Sequence, residues 1–237
     1  AKRKKVNYEA KVYAPITVSD VQTGQIKEEK EEFIFALPLM TSQGTFIING
    51  IEKVVLNQMV RSHGVYCSKE EALLIPKQGY QLRLAKEGNN KRKKNEKVFS
   101  FHFFLKAFGL SDNEIKESLG NENYQEIIDP KTDKLTQEEA VLNWYQWHKE
   151  LNSTQGISST EAQEEFDSYY KKVEKYNWGR VGRYKLNQKL GHTSDSNLQL
   201  TEDDLLGIVD YFLKVKNDQL LEDDMNHLGN RRLRSVG

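Results

Sequence analysis

Toward the end of the 237-residue chain, Asn230-Arg231-Arg232-Leu233-Arg234 gathers three guanidiniums in one short stretch, flanked by Gly229 and Gly237. Arginine forks grip phosphate oxygens bidentately and keep their charge at any relevant pH. Contacts of that kind position a nucleic acid without reading its bases. Arg180, Arg183 and Lys185 form a second basic group, and Arg61 stands as a lone third. Spacing alone leaves a second reading open, in which these side chains bridge structurally to Asp223, Asp224 and the Glu-rich helices. Asp223-Asp224 also raises metal-dependent nuclease chemistry, set against a solvated turn or salt-bridge partner. The five histidines (His63, His102, His148, His192, His227) show no metal-ligand spacing, and no C-x-x-C occurs. G-x-S-x-G, Walker and Rossmann fingerprints are absent too. The residues therefore predict no catalytic or metal site of the chain's own.

Composition narrows the classes further. Lys+Arg and Asp+Glu both number 35, so phosphate contacts must come from local clusters and not from a global basic charge. The single cysteine, Cys67, excludes an internal disulfide framework and fits a reducing compartment. No apolar run reaches membrane-spanning length, and no secretory apolar stretch is read at the front. The Lys/Arg cluster at the start and the stop at Gly237 read as cuts through a larger protein, a separate gene product, or limits of what was determined. Abundant Lys, Asn, Gln and Glu with only four prolines lean toward an AT-rich, organelle-like coding bias.

The elements that must carry these residues can be read from periodicity. Val6 to Tyr13 alternates as a half-buried strand, Thr23-Gly24 turns, and Glu32 to Leu37 returns as a strand. Asn49-Gly50 between Thr45–Ile48 and Lys53–Leu56 signals a hairpin, because both turn positions need φ > 0. Beyond it, Gln58, Arg61, Ser62 and Gly64 read as a contact loop from Gln58 to Val65. Tyr80 to Leu84 alternates as a strand, and Lys86 to Lys97 reads as a turn with a basic tip at Lys91 to Lys94, solvated or near downstream DNA. Val98–Phe101 and Phe103–Phe108 fit strand or helix. Capping boxes open helices at Ser111/Glu114, Thr136/Glu139, Thr160/Gln163 and Thr201/Asp204. Their apolar faces include Trp144 and Tyr145, then Phe166, Tyr169, Tyr170 and Val173, then Ile208, Val209 and Phe212. Amphipathic spacing accounts for those aromatics as core. Asn121 to Lys134 reads as turn-rich.

Three blocks resemble the β subunit of multisubunit RNA polymerases, bacterial or plastid. PLMTSQGTFIINGIEKVVLNQMVRSHGV (38–65) is similar to that family's PLMT-x-x-GTF-[IV]-ING-x-ERV-x-x-x-Q-x-x-RSPGV, with Lys53 for arginine and His63 for proline. Tyr176 to Leu190 resembles RYDL-x-x-VGR-x-K-x-N-x-K-L, although Lys149 to Ser159 replaces the family's upstream R-PGE-P-P-T segment. Asp223 to Gly237 resembles DDIDHLGNRR-x-RSVG, departing at Met225 and Asn226. A basic hairpin followed by FLKA and a helix opening at Ser111 fits the family's lobe.

The resemblance implies an α+β fold: a mixed antiparallel sheet protrusion (1–67 and 222–237) with an inserted, largely helical lobe (68–221). It implies the N-terminal part of the β subunit, one jaw of the DNA cleft, positioning DNA and the RNA–DNA hybrid during RNA synthesis from nucleoside triphosphates. Nucleic-acid contacts are expected from Gln58, Arg61, Arg180, Arg183, Lys185, Asn230, Arg231, Arg232 and Arg234, with phosphate contact favoured for Arg61, Arg231, Arg232 and Arg234. No cofactor is expected on this chain; Mg2+ belongs to the β′ partner. The implied partners are the remaining β segment, β′-type and α subunits, sigma factor, DNA template and hybrid, with no membrane span. A plastid location is expected, with bacterial cytoplasm as the alternative, and His63 leaves rifamycin sensitivity open. A non-enzymatic docking scaffold derived from a β-like segment is the rival reading.

Overall fold

The alternating stretch at the front folds into a long ribbon. In the computed structural model, which describes residues 1–21, 23–88, 97–151, 156–192 and 197–234, β1 (Glu9–Ser19) pairs antiparallel with β2 (Ile26–Pro38). The register shifts between Val12 and Tyr13 and again between Val18 and Ser19, bulges that increase local twist. Tyr13 and Phe33 meet edge to face at 5.8 Å. A short hairpin follows, β3 (Phe46–Ile48) and β4 (Ile51–Lys53), turning through Asn49 at φ 51° and Gly50 at φ 79°. Both turn residues adopt the left-handed conformation that the Asn-Gly pair is suited to. The second strand ends at Lys53, so Val54-Val55-Leu56, read as strand from the sequence, lie outside it and are exposed. Tyr8 ties ribbon to hairpin: its N–H donates to the Ile47 carbonyl and its carbonyl accepts from the Leu39 N–H, each at 2.9 Å.

The chain divides into two compact units, residues 60–232 forming one, and 1–59 with the closing residues from Leu233 forming the other. It crosses between them twice, once within β5 (Gln58–Arg61) and once within β10 (Arg231–Arg234), two strands that pair with each other. The contact loop read from Gln58 to Val65 is thus mostly strand, since β6 (Gly64–Cys67) begins only two residues after β5 ends.

In the 60–232 unit, β6 heads a sheet ordered β6-β7-β8-β9, with β7 at Glu71–Ile75, β8 at Leu82–Ala85 and β9 at Phe99–Ser100. Only the β8–β9 pairing is parallel. Among the described residues seven α-helices follow: α1 (Phe101–Phe108), α2 (Asp112–Leu119), α3 (Asn121–Ile127), α4 (Gln137–His148), α5 (Ser159–Tyr170), α6 (Gly179–Leu190) and α7 (Glu202–Lys216). The Phe103–Phe108 ambiguity resolves as helix because the Ser100 hydroxyl accepts the Phe103 N–H at 3.3 Å and starts α1, every residue of which is buried. Trp144 closes the core, its indole N–H donating to the Tyr170 hydroxyl at 3.3 Å while Phe166 meets it edge-on at 4.9 Å.

Capping boxes form as read at Ser111, Thr136 and Thr201. The one read at Thr160 does not. Ser158 occupies the cap position of α5, the Ser158 and Thr160 hydroxyls bond each other at 2.8 Å, and Gln163 donates to Asp167. Val173 falls beyond that helix. The turn-rich reading of 121–134 is corrected in its first half: Tyr124 and Ile127, three apart, are both buried and give α3 a packing face. The basic tip at 91–94 and the final glycine lie outside the described residues.

Candidate nucleic-acid interface

Arg61 and Arg231 belong to the same compact unit and lie on paired strands. Buried Ser62 donates its N–H to the Asn230 carbonyl at 2.8 Å, and the buried Tyr66 hydroxyl donates to the Ser62 carbonyl at 2.9 Å. A 3-10 turn at Leu228–Asn230 feeds β10, with the Lys185 ammonium donating to the Gly229 carbonyl at 2.6 Å. Asn230 reaches back to the Asp224 carbonyl at 2.8 Å, and the Arg231 guanidinium donates to Asn226 Oδ1 at 2.8 Å. Arg61 and Arg232 are exposed and Arg231 is half-buried. None of the three forms an ion pair with a carboxylate among the described residues. Uncompensated guanidiniums on a strand fixed at both neighbours have the chemistry to hold phosphates.

His63 identifies more of this surface. Its Nδ1 lies 2.9 Å from the Pro76 carbonyl. Burial pushes its pKa down, and the positive charges of Arg232, Lys77 and Lys185 push the same way against the Pro76 bond. The imidazole therefore favours its neutral form. In the sequence Lys77 reads only as the first residue of a turn, Lys77-Gln78-Gly79. It packs on Gly179, where φ is 63° and an added Cβ would sit 2.7 Å from Lys77 Cδ, so the first residue of α6 must be glycine for the lysine to lie there. At Gly182 a Cβ would come within 3.2 Å of His63 Cβ.

The second basic group separates into different roles. Arg183 is 3% exposed, its guanidinium bound to Asp204 Oδ1 at 2.6 Å and Oδ2 at 2.9 Å and donating to the Gln199 carbonyl. A side chain so enclosed cannot reach a phosphate, which corrects its placement among the nucleic-acid contacts. Asp204 also accepts the Thr201 N–H at 3.0 Å, so one carboxylate closes the α7 capping box and neutralises Arg183. Arg180 is exposed at the start of α6, and Lys185 is half-buried against the return segment. Gln58 and Arg234 are exposed in the other unit.

Asp223 is engaged by Lys189 and not by the nearby arginines. It accepts the Cys67 N–H at 2.7 Å and pairs with the Lys189 ammonium, which also donates to the Val65 carbonyl at 2.6 Å. Asp224 caps its own turn, accepting the Asn226 N–H at 2.7 Å. Among the described residues no group of three or more His, Cys, Asp or Glu could hold a metal ion. Lys189 thus fastens α6 to β6 and to the segment that leads into β10. Sequence spacing gave it no role because its partners are 34 and 124 positions away.

The α+β scaffold thus presents, on a strand backed by a glycine-bearing helix, arginines that pair with no carboxylate among the described residues. The chain belongs to the family of RNA polymerase Rpb2, domain 2, which it matches over residues 64–234. Over its whole length it is 41% identical to the DNA-directed RNA polymerase subunit beta of Synechocystis sp. and 40% identical to those of Synechococcus elongatus and Trichormus variabilis. It spans 22% of the length of each of these relatives.

Proposed function

We propose that the chain is the N-terminal part of the β subunit of a DNA-directed RNA polymerase and positions DNA and the RNA–DNA hybrid while RNA is made from nucleoside triphosphates. The observation that carries this reading is the set Arg61, Arg231 and Arg232, held on paired strands with no described carboxylate to neutralise them. Asn230, Lys185, Arg180 and the newly found Lys77 extend the surface within the same unit; Gln58 and Arg234 are exposed on the other unit. Arg183 drops out. In family terms, the protrusion is 1–67 with 222–237 and the lobe is 68–221; by packing alone the units change over at Met59/Val60 and Arg232/Leu233. Metal chemistry belongs on this reading to a β′-type partner carrying Mg2+, since Asp223 is taken up by Lys189 and the Cys67 N–H.

Assembly with the remaining β segment, β′-type and α subunits and sigma factor is supported by the first unit. None of the described residues in 1–59 is buried, and Phe33, Ile34, Phe35 and Leu37 of β2 are about half exposed. Apolar area of that extent is covered by partners in working assemblies. A bacterial-type enzyme follows from the cyanobacterial relatives, and the compositional lean favours a plastid.

The test uses the assembled polymerase carrying Arg231→Ala/Arg232→Ala. Elongation complexes should dissociate at lower salt, with the slope of log affinity against log salt reduced by about 2, near 0.9 for each phosphate no longer neutralised. An unchanged slope and salt tolerance would remove these arginines from the nucleic-acid surface.

A further inference from the structure

Away from the arginine surface, the 60–232 unit holds a cavity of about 540 Å³ between β9, α4 and the turn after α3. That volume lies in the range of small-molecule sites, roughly 300–1,000 Å³. Its apolar wall is aromatic: Phe99 stacks on Phe103 at 5.6 Å and meets Trp147 edge-on at 4.9 Å. Trp147 Nε1 is buried and has no hydrogen-bond partner among the described residues, an arrangement that costs stability. Polar groups converge on the same space. Asn143 and Gln146 contribute amides from α4, and Asp129 contributes a carboxylate that is 2% exposed. The Lys97 ammonium lies 5.4 Å from the Phe99 ring centroid, and no carboxylate among the described residues pairs with it. Lys131 joins it, so among the described lining residues two cations stand against one carboxylate.

We infer that this cavity binds a nucleobase bearing a phosphate. The aromatic wall accepts a flat ring, which is the sequence-tolerant way proteins hold an unstacked base. The Asn143 and Gln146 amides and the Asp129 carboxylate are donors and acceptors of the kind that read a base edge, and Lys97 with Lys131 offset the phosphate charge. A free nucleotide and one base of a single strand share this chemistry. The site is separate from the arginine surface, so either can fail without the other.

The test is titration of the 237-residue chain followed by the indole N–H resonances of its three tryptophans, with Trp147 assigned by Trp147→Phe. AMP, CMP, oligodeoxyadenylate and ribose 5-phosphate are the probes. A saturating shift of the Trp147 signal with AMP or CMP supports a free nucleotide; saturation with the oligonucleotide alone supports a single-stranded base. In either case Lys97→Met should weaken binding about fivefold or more, the equivalent of roughly one hydrogen bond, and Trp147→Phe serves to assign the reporting signal. Lys97 is half-buried at the lining, so Lys97→Met remains informative where Trp147→Phe unfolds. Three outcomes overturn the inference: no saturating shift with any nucleotide, equal response to ribose 5-phosphate, or abolished binding on Arg231→Ala/Arg232→Ala.

Discussion

Arg183 and Asp204 are the pair on which the helical unit is most exposed to damage. Both are almost fully buried, and the carboxylate serves two partners at once. Arg183→Ala should cost about 3–5 kcal/mol, because it strands a charge in the interior. The measurement is urea unfolding followed by tryptophan fluorescence, to which Trp144, Trp147 and Trp178 all report from this unit. Arg183→Met with Asp204→Asn should recover much of that stability, since no net charge is left buried and the asparagine can still accept at the cap. Exchanging the two residues should not rescue, because it places a cation at the first turn of α7, against the helix dipole. Sequence alone could not decide this residue. Arg183 and Arg231 look alike as letters in basic clusters, and what separates them is a carboxylate 21 positions downstream that folds back onto only one.

At the level of elements, local signals were legible wherever a few neighbouring residues settle the structure. Asn49-Gly50 forms its turn, and the Ser111, Thr136 and Thr201 boxes close, since each motif satisfies its own backbone groups. Signals failed where a competing neighbour intervened, as Ser158 did at Thr160, or where the apolar face was too short to read, as in α3. The arginine clusters were visible in the sequence, but the placement of Lys77 and His63 against α6, and of Lys189 from α6 onto Val65 and Asp223, was not, because it depends on packing between distant segments. Gly50 shows how tightly a turn can be specified. A Cβ there would sit 2.7 Å from Lys5 Cα, at a φ that side chains rarely adopt. Gly50→Ala should destabilise the hairpin by about 1–2 kcal/mol. Faster amide hydrogen exchange across Phe46–Lys53 than in the unchanged chain is the readout, and unchanged exchange would show that the turn relaxes freely.

Across the whole molecule, charge and packing are unevenly shared. The chain is neutral overall, yet Arg61, Arg231 and Arg232 pair with no carboxylate among the described residues, and the buried side chains described lie within 60–232. Resemblance in three separate blocks made the family legible from the sequence, whereas the places where the chain passes between units were not: one falls inside β5, read as part of a contact loop, and the other inside β10, for which no element was read. Those passages have a further consequence. The larger unit enters and leaves at residues whose backbones already touch, Ser62 N–H to Asn230 carbonyl at 2.8 Å. It is therefore a cassette: a segment whose two ends meet can be excised or transplanted as a closed loop. Residues 60–232 produced alone should give a cooperative urea transition at the midpoint seen for tryptophan fluorescence in the full chain. A molten, non-cooperative product would mean that the cassette draws its order from the strands it interrupts.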